Sequence, residues 1–132
     1  MSEDAHQIKT PRCTDIDELA KMVHDLEIKQ GWVETNQEPI DILAKFIANQ
    51  TGELGELWEA ARRDELYHWC DKSQAMLQYG LPWLTSLEEE VADLLIRILG
   101  FCIRMNINPS YILNVKHAYN KTRKPRHGGK LA

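Results

Sequence analysis

Two pairs of acidic residues have the types and spacing to do chemistry together: Glu53 with Glu56, and Glu90 with Asp93, each at i,i+3. On a helix, residues three apart share a face, with Cβ atoms roughly 5–6 Å apart. Two such faces brought together make a box of four carboxylates. Like charges that close repel and raise one another's pKa unless a cation sits between them. The fitting cation is hard, divalent and oxygen-loving, Mg²⁺ above all, with Mn²⁺ as a substitute. A third group lies downstream: Lys116, Asn120 and Arg123 fall within about 60° of one another on a helical wheel. Two cations and an amide on one face suit phosphate oxygens, although a solvated basic face reads the same way.

These groups need helices to position them, and the sequence supplies the signals. Thr14 is a plausible N-cap for a first helix with Ile16, Leu19, Met22, Val23 and Leu26 at helical spacing, stopped by Gly31. His24-Asp25 forms an HD dipeptide, but the further His and Asp partners of an HD-type hydrolase are missing, so a surface His is expected. Pro39 fits the first turn of a second helix running to about Arg63. With Glu53 set at 0° and 100° per residue, Leu43, Ile47, Leu54, Trp58 and Ala61 cluster at roughly 80–140°. Ile42, Phe46, Leu57 and Ala60 lie within about 40° of Glu53 itself. Glu53 is thus inside the apolar sector, where an unpaired charge is expensive. Glu59 turns away from it and reads as solvated. Gly52 and Gly55, each costing a helix about 1 kcal/mol, suggest close approach of another helix or a ligand.

Ser86, with Glu89 three residues on, reads as the capping box of a third long helix. From Glu90 to Arg104 the charged residues are Glu90, Asp93, Arg97 and Arg104, all in one narrow stripe on an otherwise apolar surface. A helix apolar around most of its girth is buried on several sides, which predicts an oligomer interface. Asn108-Pro109 opens a last helix, from Ser110 to about Lys124. Between the acid pairs, residues 64–83 concentrate Tyr67, Trp69, Tyr79 and Trp83, with a short helix expected over Asp71–Tyr79, ended by Gly80 and Pro82. Packing over the core is the preferred reading of these aromatics, with a lid or nucleobase-contacting edge as the other. Glu65-Leu66-Tyr67-His68 is an ExxH string, but a di-iron bundle needs two such strings.

The rest of the chain bounds the function. Its 132 residues are one domain's worth, here residues 1–132, with an N-terminal arm over 1–13 and a basic tail over 125–132. An apolar content of 43% is enough for a packed core. No run of eighteen apolar residues and no signal-peptide core occur, so no membrane span is expected. Cys13, Cys70 and Cys102 are scattered and odd in number, which points to a reducing, cytoplasmic setting rather than disulfides or zinc. All 20 acidic residues lie at or before Asp93, against eight basic ones; the remaining 39 positions hold the other eight basic residues and no acid. A cation-collecting first part and an anion-collecting last part suit a metal with a phosphorylated ligand. P-loop, GxGxxG and GxSxG motifs are absent.

The ordered set Gly52-Glu53-Leu54-Gly55-Glu56-Leu57, Glu89-Glu90-Val91-Ala92-Asp93-Leu94-Leu95-Ile96, and Lys116-His117-Ala118-Tyr119-Asn120-Lys121-Thr122-Arg123 with His127-Gly128-Gly129-Lys130 resembles the MazG-like all-α nucleoside triphosphate pyrophosphohydrolases. The likeness spans residues 40–130. It departs in the long segment separating Glu56 from Glu90. The resemblance implies an all-α bundle of four to five helices completed by dimer or tetramer formation, and Mg²⁺-dependent cleavage of a (d)NTP to the monophosphate and pyrophosphate. It implies Glu53, Glu56, Glu90 and Asp93 as metal ligands, with Glu53 or Glu56 also orienting or deprotonating the attacking water. Lys116, Asn120, Arg123 and Lys130 would bind phosphate, and Trp32 and Trp58 are candidates for the base pocket. No stable nucleic-acid binding is expected. Two other readings stay open: a non-catalytic helical module whose acids pair with Arg97 and Arg104, and a different carboxylate-metal bundle enzyme.

Overall fold

Side-chain caps start three of the helices, and a proline in the first turn starts another. In a computed structural model that describes residues 13–125, five α-helices follow one another: α1 (Ile16–Lys29), α2 (Pro39–Arg62), α3 (Ser73–Gln78), α4 (Ser86–Arg104) and α5 (Pro109–Thr122). The fold is all-α, as expected, and among the described residues the only extended pairing is one isolated bridge between Trp69 and Thr85. No helix among them is long and apolar enough to cross a membrane. The capping expectations shift by one residue at two starts. Asp15, not Thr14, caps α1, accepting from the N–H groups of Asp17 and Glu18 at 2.9 and 3.0 Å. Thr85 with Glu88, not Ser86 with Glu89, forms the capping box of α4. A carboxylate or hydroxyl wins the cap when its own backbone is extended and the next residue is helical, which local spacing does not settle. Gly31 and Gly80 sit at φ +71° and +70°, the left-handed conformation that stops α1 and α3.

α4 is the central helix, with α1 and α2 both packed along it and α5 attached to α1. Phe46 of α2 stacks on Phe101 of α4 with centroids 4.0 Å apart, next to buried Ile42, Leu99 and Cys102. Gln50 Nε2 donates to the Leu94 carbonyl at 3.2 Å and pins α2 to α4 midway along both. α5 is tied to α1 by Asp17, which accepts from the Ser110 N–H at 2.9 Å and from the Ser110 hydroxyl. The two apolar sectors of α2 separate: the one holding Glu53, Ile42 and Phe46 faces α4, while Leu43, Ile47, Leu54 and Trp58 stay exposed. Val91, Leu95 and Ile98 of α4 and Leu113 and Val115 of α5 are exposed as well.

The stretch between α2 and α4 loops out and returns to the start of α4. Asp64, at φ +57°, turns the chain off α2. The Cys70 N–H then donates to the Leu84 carbonyl at 2.8 Å, Ser86 N–H to His68 at 2.8 Å, and Leu87 N–H to Leu66 at 2.9 Å. Cys70 and Ser73 are buried beneath it, whereas Tyr67, Trp69 and Tyr79 are exposed. Those three aromatics therefore do not pack over the core. Trp69 meets Trp83 edge-on at 5.5 Å instead. Glu65 and His68 lie beyond the end of α2, so the ExxH string is not on a helix.

Candidate metal centre

The packing of α2 on α4 turns the two acidic stripes toward each other. Glu53 is only 8% exposed, and carboxylate oxygens of Glu53, Glu56 and Glu90 lie within 4.8 Å of one another. Glu89, Glu90 and Asp93 form a second such group, sharing Glu90. The four expected metal ligands thus fall in two overlapping clusters, and a fifth acid, Glu89, joins them. Sequence reading assigned Glu89 to a cap. Its i,i+4 relation to Asp93 was the available signal, and once Thr85 and Glu88 close the cap, Glu89 is released to face the cluster.

Two cations stand at the ends of this group. Arg97 Nε donates to Glu53 Oε1 at 3.0 Å, with Arg97 Nη2 at 2.9 Å from the same oxygen. Lys72, from the segment before α3, donates to Glu89 Oε1 and lies 3.4 Å from Asp71 Oδ1. Between them Glu53 Oε2 and Glu90 Oε2 are buried and take no hydrogen bond from a cation, a hydroxyl or a backbone N–H, the two carboxyls having only each other. A buried polar oxygen without a partner is costly. The penalty shows in the acids themselves. Burial, reinforced by the neighbouring Glu53 carboxyl and the charges of Glu56, Glu53 and Asp93, pushes Glu90 from 4.5 up to about 7. Asp93 is also raised, first by burial and then by Glu53 and Glu89, with Lys72 and Arg97 opposing. Bare oxygens from acids that disfavour sharing their charge are what a divalent cation with oxygen ligands satisfies. The residues present fit Mg²⁺ or Mn²⁺.

A cleft opens on each side of the acids. One, of about 670 Å³, lies among α1, α2 and α4 and is walled by Val23, Leu26, Phe46 and Ile96 with Trp32 at its edge; Glu53 and Asp93 border it. Glu27 and Arg104 also reach it. Burial raises the Glu27 carboxyl above its ordinary range, opposed by Arg104, His24 and Arg97. Gly100 lets Glu27 in: a Cβ there would meet the Glu27 carboxyl, 3.0 Å from Cδ. His24, expected at the surface, has its Nδ1 buried without a partner on the same helix face. The second cleft, about 820 Å³, is bordered by Glu56, Glu89 and Glu90 and carries Arg63, His68 and Lys72. Gly52 and Gly55 line it, and a Cβ at either would meet nothing within 4 Å, so they face open space and not another helix of this chain.

The base-pocket candidates are separated: Trp32 borders the first cleft and Trp58 the second. Glu59 is exposed, as its phase suggested, and pairs with Arg62 at 2.9 Å and with Arg63 at 3.8 Å at the border of the second cleft. Lys116 and Asn120 are exposed on α5, with Lys116 over the Tyr119 ring at 5.0 Å; neither they nor Arg123 border either cleft, because α5 packs on α1. Lys130 lies outside the described residues. Compared with known proteins, the chain matches no family model, no curated protein and no solved structure.

Proposed function

We propose that this chain is a Mg²⁺-dependent nucleoside triphosphate pyrophosphohydrolase of the MazG-like kind, converting a (d)NTP and water to the (d)NMP and pyrophosphate. One observation carries the reading: Glu53 Oε2 and Glu90 Oε2 are buried, met by no cation, and converge with Glu56, Glu89 and Asp93 in two overlapping carboxylate groups. Bound there, Mg²⁺ would supply charge neutralisation for the phosphate oxygens and a fixed place for a water. Glu53, Glu56 and Glu90 would hold it, with Asp93 and Glu89 in the overlapping group around Glu90. Glu56, exposed at the rim, would also orient the water and take its proton as the water oxygen bonds to the α phosphorus. The bond from the α phosphorus to its bridging oxygen breaks in line, and pyrophosphate leaves.

The apolar cleft edged by Trp32 suits a base, with Asn49 and Glu27 as polar groups inside it. Lys116, Asn120 and Arg123 serve phosphate on this reading only if a second copy brings its α5 to the acids. The exposed apolar faces of α2, α4 and α5 support a homodimer or homotetramer. Clearance of non-standard nucleotides is a use that such chemistry permits.

A panel of NTPs and dNTPs with Mg²⁺, read by pyrophosphate release, tests the proposal. Orthophosphate as the sole product, or turnover independent of Mg²⁺, refutes it. Glu53→Gln and Asp93→Asn are each expected to lower turnover about a hundredfold or more with helical content unchanged; wild-type rates in either would exclude this site.

A further inference from the structure

The two clefts differ in what they offer. The one at Glu53 and Asp93 is walled mainly by apolar side chains, and its Arg97 is already committed to Glu53. The one at Glu56, Glu89 and Glu90 is rimmed by Arg63, His68 and Lys72. Lys72 is the best placed of these. Its segment is anchored on both sides by the Cys70–Leu84 and Ser86–His68 backbone bonds, and by the buried Ser73 hydroxyl donating to the Cys70 carbonyl at 2.6 Å. An ammonium has three donors. Those of Lys72 serve Glu89 and approach Asp71, which leaves one for a ligand lying over the acids.

We infer that the Lys72 cleft holds the pyrophosphate end of the substrate, with Lys72 as its principal phosphate-binding residue and Arg63 and His68 at the rim. The inference rests on the pyrophosphohydrolase reading and extends it to residues of the long segment between the acid pairs. A triphosphate that places its base beside Trp32 and its α phosphorus over the acids must carry its β and γ phosphates out on the opposite side. That side is this cleft. Its bare charge is strongly acidic, since Glu56, Glu59, Glu65, Asp71, Glu89 and Glu90 line it against Arg63 and Lys72. Pyrophosphate therefore enters only together with the divalent cation, and Lys72 then passes from Glu89 to a phosphate oxygen.

The test is calorimetric titration of the full-length chain with inorganic pyrophosphate, with and without Mg²⁺, in wild type, Lys72→Met and Lys72→Arg. The expected pattern is binding in Mg²⁺ only, weakened about tenfold or more by Lys72→Met and largely restored by Lys72→Arg. NMP affinity should stay within about twofold of wild type. In turnover, Lys72→Met should raise KM and the pyrophosphate inhibition constant more than it lowers kcat. Equal pyrophosphate affinity in wild type and Lys72→Met overturns the inference. So does a Lys72→Met defect in NMP binding as large as that in pyrophosphate binding, which would mean that this cleft takes the base. The two readings fail separately. NTP hydrolysis with a Lys72-independent pyrophosphate constant removes only this cleft assignment. A Lys72-dependent pyrophosphate site in a chain that hydrolyses no NTP removes the hydrolase and leaves an anion site.

Discussion

Replacing Glu90 with Gln should make the metal-free protein more stable while taking away its response to metal. Glu90 holds its proton to about 7 against an ordinary 4.5. A carboxyl raised in the folded state contributes stability that is fully present below about 4.5, where it is protonated in both states. That stability is lost as pH climbs to about 7, because only the unfolded chain gains from ionisation. Each unit corresponds to about 1.4 kcal/mol, so the gap bounds the effect near 3 kcal/mol. Glu90 is only partly buried, and solvent screening reduces this to about 1–2 kcal/mol. In a chain of this size that is a melting difference of roughly 3–10 °C. Thermal melts in chelator from pH 4 to 8.5 should show wild type and Glu90→Gln coinciding at the acid end, diverging from about pH 4.5 and fully separated above about pH 7, with the variant higher. Asp93 and Glu27 are raised as well and give both proteins a downward slope, so the difference between the curves reports Glu90 together with the carboxyls it faces. With millimolar Mg²⁺ at pH 8 the order should reverse, wild type gaining and the variant not. Parallel curves in chelator, or equal gains in Mg²⁺, refute the account of Glu90 as a strained member of a cation site.

Arg97→Met removes the partner of Glu53 and leaves a buried carboxylate. Because Arg97 itself is 38% exposed, the expected loss is about 1–2 kcal/mol in metal-free protein by urea unfolding, substantially recovered in Mg²⁺. Loss of the same size with and without Mg²⁺ would show that Arg97 matters only to packing. Asp17 is held below its ordinary 3.8 by the hydrogen bonds from Ser110. Its contribution is present above about pH 3.8 and disappears as pH falls through the lowered value. Asp17→Asn should therefore be less stable than wild type at pH 6, with the difference closing in strong acid. Amide hydrogen exchange should quicken selectively along α5 in Asp17→Asn and in Ser110→Ala, and unchanged α5 protection would contradict the tie.

Helix number and phase were legible because they are local. The i,i+3 acids, the apolar neighbours at i±4 and the Pro and Gly punctuation fix which way each side chain points, and Glu53 lands on the α4-facing side of α2 as its wheel position requires. Two kinds of information were not local. At the start of α4, Thr85 and Ser86 each have a glutamate three residues on, so either could close a capping box. The one-residue choice decides whether Glu88 or Glu89 is left to face the acids. The position of Lys72 depends on the chain from Asp64 to Leu84 doubling back through the Trp69–Thr85 bridge, a closure that no periodicity encodes. Gly52 and Gly55 left the same kind of choice open. Their lack of a side chain signals space, but a spacing rule does not say whether that space is filled by a helix or left open as a cleft.

The pairings of Arg97 and Lys72 bear directly on whether the acids are merely half of a salt-bridge network. Were they so, each cation would be matched by an acid and the inner oxygens would be engaged. Instead five carboxylates, Glu53, Glu56, Glu89, Glu90 and Asp93, face two cations, and each cation takes one oxygen at the edge of the group. Even with Glu90 protonated and bonded to Glu53, two negative charges remain in excess within the group. A sequence selected only for stability would relieve that excess with a neutral side chain, since an unpaired buried carboxylate costs several kcal/mol and a well-packed apolar one does not. On the proposed reading, a charge of about +2 from solution offsets that excess, and the edge positions of Arg97 and Lys72 leave the centre open for it.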